Sequence, residues 1–449
     1  MDDQAMPTTS NYSYAKVQFL QRQAASLLLY QSVLQDKAGI AFLDLLQAIR
    51  YTDADARGCL QAYGSYFQAL AAKNQNWEDY LITQILISDN PYTRLAQQRK
   101  FQHLPSALVT AAQHDLQMLQ SLYECSSAVL SEWVQVVAHL PVSPVVWYQE
   151  SELVGVATDL ITSLQQLENW GDAVEDLANY YWQYGTGLFA EYRALRWQDG
   201  QFIGIHHPDS VKLNLLVGYE SQRDALLKNT EFLLSGEMAL NVLLYGSRGS
   251  GKSSLVKSLL NQYSDRNLRL IEVAKSALQD LPKIVEQLRG VPQKFIIFVD
   301  DLSFEEDDDA FKALKVVLEG NLTARPQNVV VYATSNRRHL IREFFVDRPA
   351  LRDNEEVHAW DTMQEKLSFS DRFGLTLTFA AADQKTYLKI VQHLATQTGI
   401  DITPEDLEYR ALQWATCHNG RSGRTARQFI DFLKAELAVF GEYNRISET

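Results

Sequence analysis

The sequence predicts an α/β domain built on a parallel sheet, preceded by an all-α N-terminal domain and followed by a small helical unit. Three observations predict it. Residues from about 12 to 195 contain few glycines and prolines and read as helix after helix; four apolar runs, "NVLLY", "LRLIEV", "KFIIFVDD" and "NVVVYATSN", then alternate with helical segments; from Asp383 to Tyr443 the pattern is helical again. Continuous Val/Ile/Leu/Phe runs separated by helices are the texture of a sheet covered on both faces. At 449 residues the chain exceeds the size at which one core stops growing, so two or three domains are expected. The expected boundaries are 1–196 for the helical domain, 197–212 for a linker, 213–382 for the α/β domain and 383–449 for a helical lid.

Within the first domain, "AKVQFLQRQAASLLLYQSVL" and "ESELVGVATDLITSLQQLENW" have helical character. Leu116, Leu119, Tyr123, Ser126, Leu130, Trp133 and Val137 recur at alternating steps of three and four, the buried stripe of one helix, which Pro141 and Pro144 end. Five of the eight tryptophans, Trp77, Trp133, Trp147, Trp170 and Trp182, precede residue 190. Such aromatics anchor a core or form a partner-binding face, and sequence does not separate the two. Glycine, proline and a change of texture in "WQDGQFIGIHHPDSVKL" place the domain boundary there. No third metal ligand stands near His206 and His207 in sequence, so they read as a polar linker pair.

Composition narrows the function. No apolar stretch approaches the roughly 18 residues needed to cross a bilayer, and the acidic, polar "MDDQAMPTTS" fits neither a secretory signal nor an arginine-rich transit peptide. A cytoplasmic protein without a membrane span is expected. Cys59, Cys125 and Cys417 are far apart and form no CxxC pair, so three buried reduced thiols are expected. Residues 1–200 carry 11 basic and 21 acidic side chains, a net of −10 out of −14. That half repels a phosphate backbone, whereas nucleic acid stays open as a partner of the C-terminal half.

Gly246-Ser247-Arg248-Gly249-Ser250-Gly251-Lys252-Ser253, followed by Ser254, fits GxxxxGK[ST] with an apolar strand before it and a helix after it. Glycines let the backbone wrap around phosphate, so that its N–H groups and the helix N-terminus face the anion. Lys252 would reach the β and γ phosphates of ATP, and the Ser253 hydroxyl would bind Mg2+.

The run "KFIIFVDD" ends in Asp300, the candidate metal carboxylate, and Asp301, the candidate base for the attacking water. Glu305, in the acidic turn "EEDDD", competes for the base role. "NVVVYATSN" ends in Asn336, whose neutral amide can hold water or the γ-phosphate.

In this order, the phosphate loop, Asp300 and Asp301, "ATSN", "SDRFG" and "SGRTARQF" resemble the AAA+ ATPases over about residues 205–445. The wording of "IHHPDSVKLNLLVGYESQRDALLKNTE", "DDLSFEE" and "YATSNRRHL" is closer still to a bacterial AAA+ family known as domain of unknown function 815. The resemblance implies that Val217, Gly218 and Tyr219 belong to the adenine pocket, Asn336 is sensor 1, and Arg424 is sensor 2 in the lid. It implies that Arg372 is an arginine finger given to the ATP of an adjacent subunit, hence a homo-oligomer. Arg337 and Arg338 are alternatives to Arg372, and Arg427, one turn after Arg424, is an alternative to it. The departure from the AAA+ pattern is Asp301, where most members have glutamate: one methylene shorter, it implies slower turnover. The activity implied is Mg2+-dependent ATP hydrolysis coupled to remodelling or loading a macromolecular partner, a protein recognised by the N-terminal domain. A slowly hydrolysing, ATP-controlled binding module is the alternative. The insertion from His339 to Lys366 reads as a long surface loop.

Overall fold

The computed structural model describes residues 14–148, 158–263, 265–303, 309–319, 326–336, 372–418 and 420–446. The chain forms two compact units, Met1–Glu191 and Tyr192–Thr449.

Among the described residues of the first unit every regular element is a helix. Its core is aromatic: Trp77, Trp133 and Trp170 are buried, while Trp182 is exposed. Phe42 stacks on Trp77 with ring centroids 4.0 Å apart, and the Trp77 indole N–H donates to the Leu122 carbonyl at 2.9 Å, so the ring is buried without stranding its polar edge. Buried Asp115 accepts backbone N–H groups from Leu28, Leu29 and Tyr30 at 2.7–3.0 Å and thereby satisfies the start of the short 3-10 helix Tyr30–Leu34. The Leu116–Val137 stripe is not one helix. Helices Ser106–Tyr123 and Ser127–Val137 meet at a break, because the Ser126 hydroxyl accepts from the Val129 N–H and caps a new start. Burial pushes the thiols of Cys59 and Cys125 up to about 11 and about 12, but Cys417 is exposed rather than buried.

In the second unit seven strands form one sheet: β1 (Ala194–Gln198), β2 (Gln201–Gly204), β3 (Val242–Gly246), β4 (Leu268–Val273), β5 (Lys294–Val299), β6 (Val329–Ser335) and β7 (Leu375–Phe379), in the order β2-β1-β4-β5-β6-β3-β7. Every pairing is parallel except β1 with β2. The four apolar runs are β3 to β6, whose residues are nearly all buried, as strands covered on both faces must be.

The expected linker 197–212 is in part a hairpin. Asp199 (φ 52°) and Gly200 (φ 80°) make a two-residue turn between Gln198 and Gln201, the left-handed Asp-Gly pair that matches strand twist. β1 then pairs with β4 and widens the sheet. His206 pairs with Tyr192, the ring nitrogen lying 3.3 Å from the phenol oxygen. Among the described residues no helix is long and apolar enough to cross a membrane.

Helices Gln384–Thr398, Pro404–Cys417 and Gly423–Ile446 close the unit around Tyr387, Leu394, Ala411, Phe429 and Leu433. Their starts are written locally: Asp383 accepts from the Thr386 N–H, and Thr403 caps a helix whose first residue is Pro404.

Candidate functional site

β3, β5 and β6 are parallel neighbours, so their C-terminal ends, Gly246, Val299 and Ser335, open on the same edge of the sheet. The segments after them meet there, and the helix Lys252–Gln262 starts at the same place. A cavity of about 760 Å³ lies at this edge, lined by residues 248–255, Asp300, Asp301, Thr334 and Asn336, and by Gly423, Arg424 and Arg427 of the lid. Its apolar wall includes Leu215, Leu216, Val217, Tyr219, Ile390 and Leu394.

The loop geometry requires glycine at its entry. Gly246 has φ 137°, and a Cβ there would sit 2.0 Å from the Phe379 carbonyl oxygen, the same oxygen that accepts the Ser247 N–H at 2.9 Å. Lys252 is buried, and its ammonium donates to the carbonyls of Gly246 (2.9 Å) and Ser247 (2.7 Å) and to Asn336 Oδ1 (3.3 Å). Burial lowers its pKa, against the pull of Asp300 and Asp301, which raise it.

Ser253 Oγ donates to Asp300 Oδ1 at 2.6 Å, and Thr334 Oγ1 donates to the same oxygen at 2.5 Å. Asp301 has a left-handed backbone (φ 52°), which aspartate tolerates better than most residues. Its N–H donates to Thr334 Oγ1 at 3.0 Å, and its Oδ1 accepts from Asn336 Nδ2 at 2.6 Å. Asn336 thus bridges Lys252 and Asp301. Thr334, which sequence reading left without a role, holds both aspartates; its signal was its place at the strand tip, one residue before "SN".

Val217 and Tyr219 line the cavity, but Gly218, Gly246 and Ser247 do not. Tyr219 is fixed by its hydroxyl donating to the Ala380 carbonyl at 2.7 Å. The Gly218 N–H donates to Glu220, which also meets Lys389 of the lid at 2.6 Å; this ammonium and the N–H hold the Glu220 carboxyl at about 2. Arg424 and Arg427 both line the cavity; Arg427 pairs with Asp431 at 3.3 Å.

Arg372 is elsewhere. It precedes β7, whose Leu375 lies beside Val242 and whose Phe379 lies beside Gly246, so it stands at the sheet end opposite the loop. Strand rise alone puts about 13 Å between those two ends of β7. Glu305, Arg337, Arg338 and the insertion 339–366 lie outside the described residues.

Among solved structures, the chain is similar to two point variants of Thermotoga maritima RuvB, each 17% identical, covering 51% of this chain and 67% of that chain at a TM-score of 0.37. A third, Thermotoga maritima RuvB described as a Holliday junction branch migration motor, is 16% identical, covering 50% of this chain and 72% of that chain at a TM-score of 0.30. No curated protein matches the chain. The family described as "Protein of unknown function (DUF815)" matches residues 190–437. That match spans more than half of the 449 residues, and the order β4-β5-β6-β3-β7, with the phosphate loop after β3 and a helical lid behind β7, is the AAA+ arrangement. The chain belongs to the DUF815 family and has the AAA+ fold.

Proposed function

We propose that the chain is a Mg2+-dependent ATPase that couples ATP binding and hydrolysis to remodelling or loading a protein partner, and that it works as a homo-oligomer with its helical domain recognising that partner. The observation that carries this reading is the convergence of Lys252, Ser253, Asp300, Asp301, Asn336 and Arg424, from four separate segments, on one cavity. A carboxylate pair, a buried ammonium and an amide at strand tips suit a polyphosphate and an attacking water.

The donor set fits Mg2+. Ser253 and Asp300 place a hydroxyl and a carboxylate 2.6 Å apart, and Mg2+ takes only one or two protein oxygens beside phosphate and water. Bound there, the ion would neutralise charge on the β and γ phosphates. Lys252 and the loop N–H groups would hold those phosphates, and the apolar wall with Val217 and Tyr219 would take adenine. Asn336 aligns the Asp301 carboxylate through Oδ1, which leaves Oδ2 to accept a proton from water. Arg424 would bring a positive charge from the lid.

Arg372 ties turnover to assembly, since in its own chain it is at the wrong end of the sheet. Arg372→Ala should bind ATP nearly normally and hydrolyse it at least tenfold more slowly. Mixing it with Lys252→Ala should restore activity, because the second subunit's finger meets the first subunit's intact loop. Absence of rescue, with co-assembly shown by light scattering, assigns the finger to Arg337 or Arg338. A wild-type monomer that turns over at a concentration-independent rate removes the trans mechanism.

A second reading, a slowly hydrolysing ATP-controlled assembly module, is favoured by Asp301 itself: its side chain is short and held on Asn336. Under this reading Asp301→Glu should raise steady-state turnover severalfold over a nearly silent wild type. An unchanged or lower rate speaks for aspartate as the fully competent base.

A further inference from the structure

The lid helix Gly423–Ile446 begins on the phosphate loop. The Arg424 N–H donates to the Gly249 carbonyl at 3.1 Å. A Cβ on Gly423 would meet that same oxygen at 3.0 Å, and a Cβ on Gly249 (φ 74°) would meet Ser422 Oγ at 2.9 Å and Arg424 Cβ at 3.2 Å. Two segments more than 170 residues apart in sequence therefore approach until a methyl group on either would crowd the other. On the lid side, Ser422 organises the contact: its hydroxyl accepts the Thr425 N–H at 3.1 Å, and its carbonyl accepts the Ala426 N–H at 2.9 Å.

From this we infer that Gly249 and Gly423 form a clasp that sets Arg424 against the phosphate site, so that Ser422 and Gly423 are positioning residues acting through Arg424. Arg424 is held through its own backbone N–H, so a shift of the helix start moves its Cα and side chain together. The Gly249 carbonyl points to the lid from the middle of the loop, so the distance from lid to loop is set by backbone rather than by flexible side chains. In a preorganised site a small displacement of a charged group costs rate more than binding.

The inference rests on reading the cavity as an ATP-hydrolysing site, and its test separates the two. In the full-length chain, ATP turnover and binding of a fluorescent ATP analogue are measured for wild type, Gly423→Ala, Arg424→Ala and the double variant. Wild-type turnover comes first: its absence counts against the ATPase reading and with it the clasp, whereas wild-type turnover that Gly423→Ala leaves intact counts against the clasp alone. Gly423→Ala should lower kcat at least fivefold with affinity within threefold, although alanine favours a helix more than glycine does. In the Arg424→Ala background the same change should have no further effect. Losses that multiply, or a Gly423→Ala rate within twofold of wild type, overturn the inference. Ser422→Ala, which loosens the helix start without adding a methyl group, gives a second cycle should Gly423→Ala misfold. It should slow turnover two- to fivefold with Arg424 present and not at all without it.

Discussion

Lys252→Ala lowers ATP affinity at least a hundredfold, about 3 kcal/mol, while the helical unit 14–191 keeps its melting transition. Its ammonium is the buried positive charge of the loop, and a charge-assisted bond to phosphate is worth about 1.5–3 kcal/mol each. The three bonds it makes to Gly246, Ser247 and Asn336 also go, so circular dichroism must accompany the titration. Affinity within threefold of wild type in a folded variant would show that phosphates do not bind at this loop.

Asp301→Asn has the second large effect: nucleotide stays bound, and hydrolysis falls by about a hundredfold or more, the range of a lost general base. An amide keeps the size and one oxygen, and that oxygen can still accept from Asn336, but it cannot take a proton from water. The Asp300 bonds to Ser253 and Thr334 do not involve Asp301 side-chain atoms and remain to hold the metal position. Single-turnover phosphate release with tightly retained ATP is the measurement. Hydrolysis that persists in this variant and disappears in Glu305→Gln transfers the base role to Glu305.

What was legible in the sequence was local. The phosphate loop and Asp300 follow an apolar run directly, and Asn336 follows one after Thr334 and Ser335, so the runs themselves place them at strand ends. The hairpin Ala194–Gly204 was equally local, with an Asp-Gly pair between short strands, but its glycine was read as the end of a domain. The break at Ser126 was missed because a stripe in steps of three and four continues across it, while the serine cap that divides it lies on the stripe itself. Non-local contacts could not be read. Nothing in "SRGSG" or "RSGRT" states that Gly249 and Gly423 touch, or that Thr334 holds both aspartates, because those distances arise from the order of strands and the return of the lid.

Whether this cavity hydrolyses Mg·ATP is decided by phosphate release from ATP by the full-length chain across protein concentrations, with Mg2+ and with the metal chelated. Turnover should need Mg2+, rise in specific rate as subunits assemble, and be lost in Asp301→Asn. Phosphate release that is insensitive to chelation and equal in wild type and Asp301→Asn would contradict hydrolysis at this cavity.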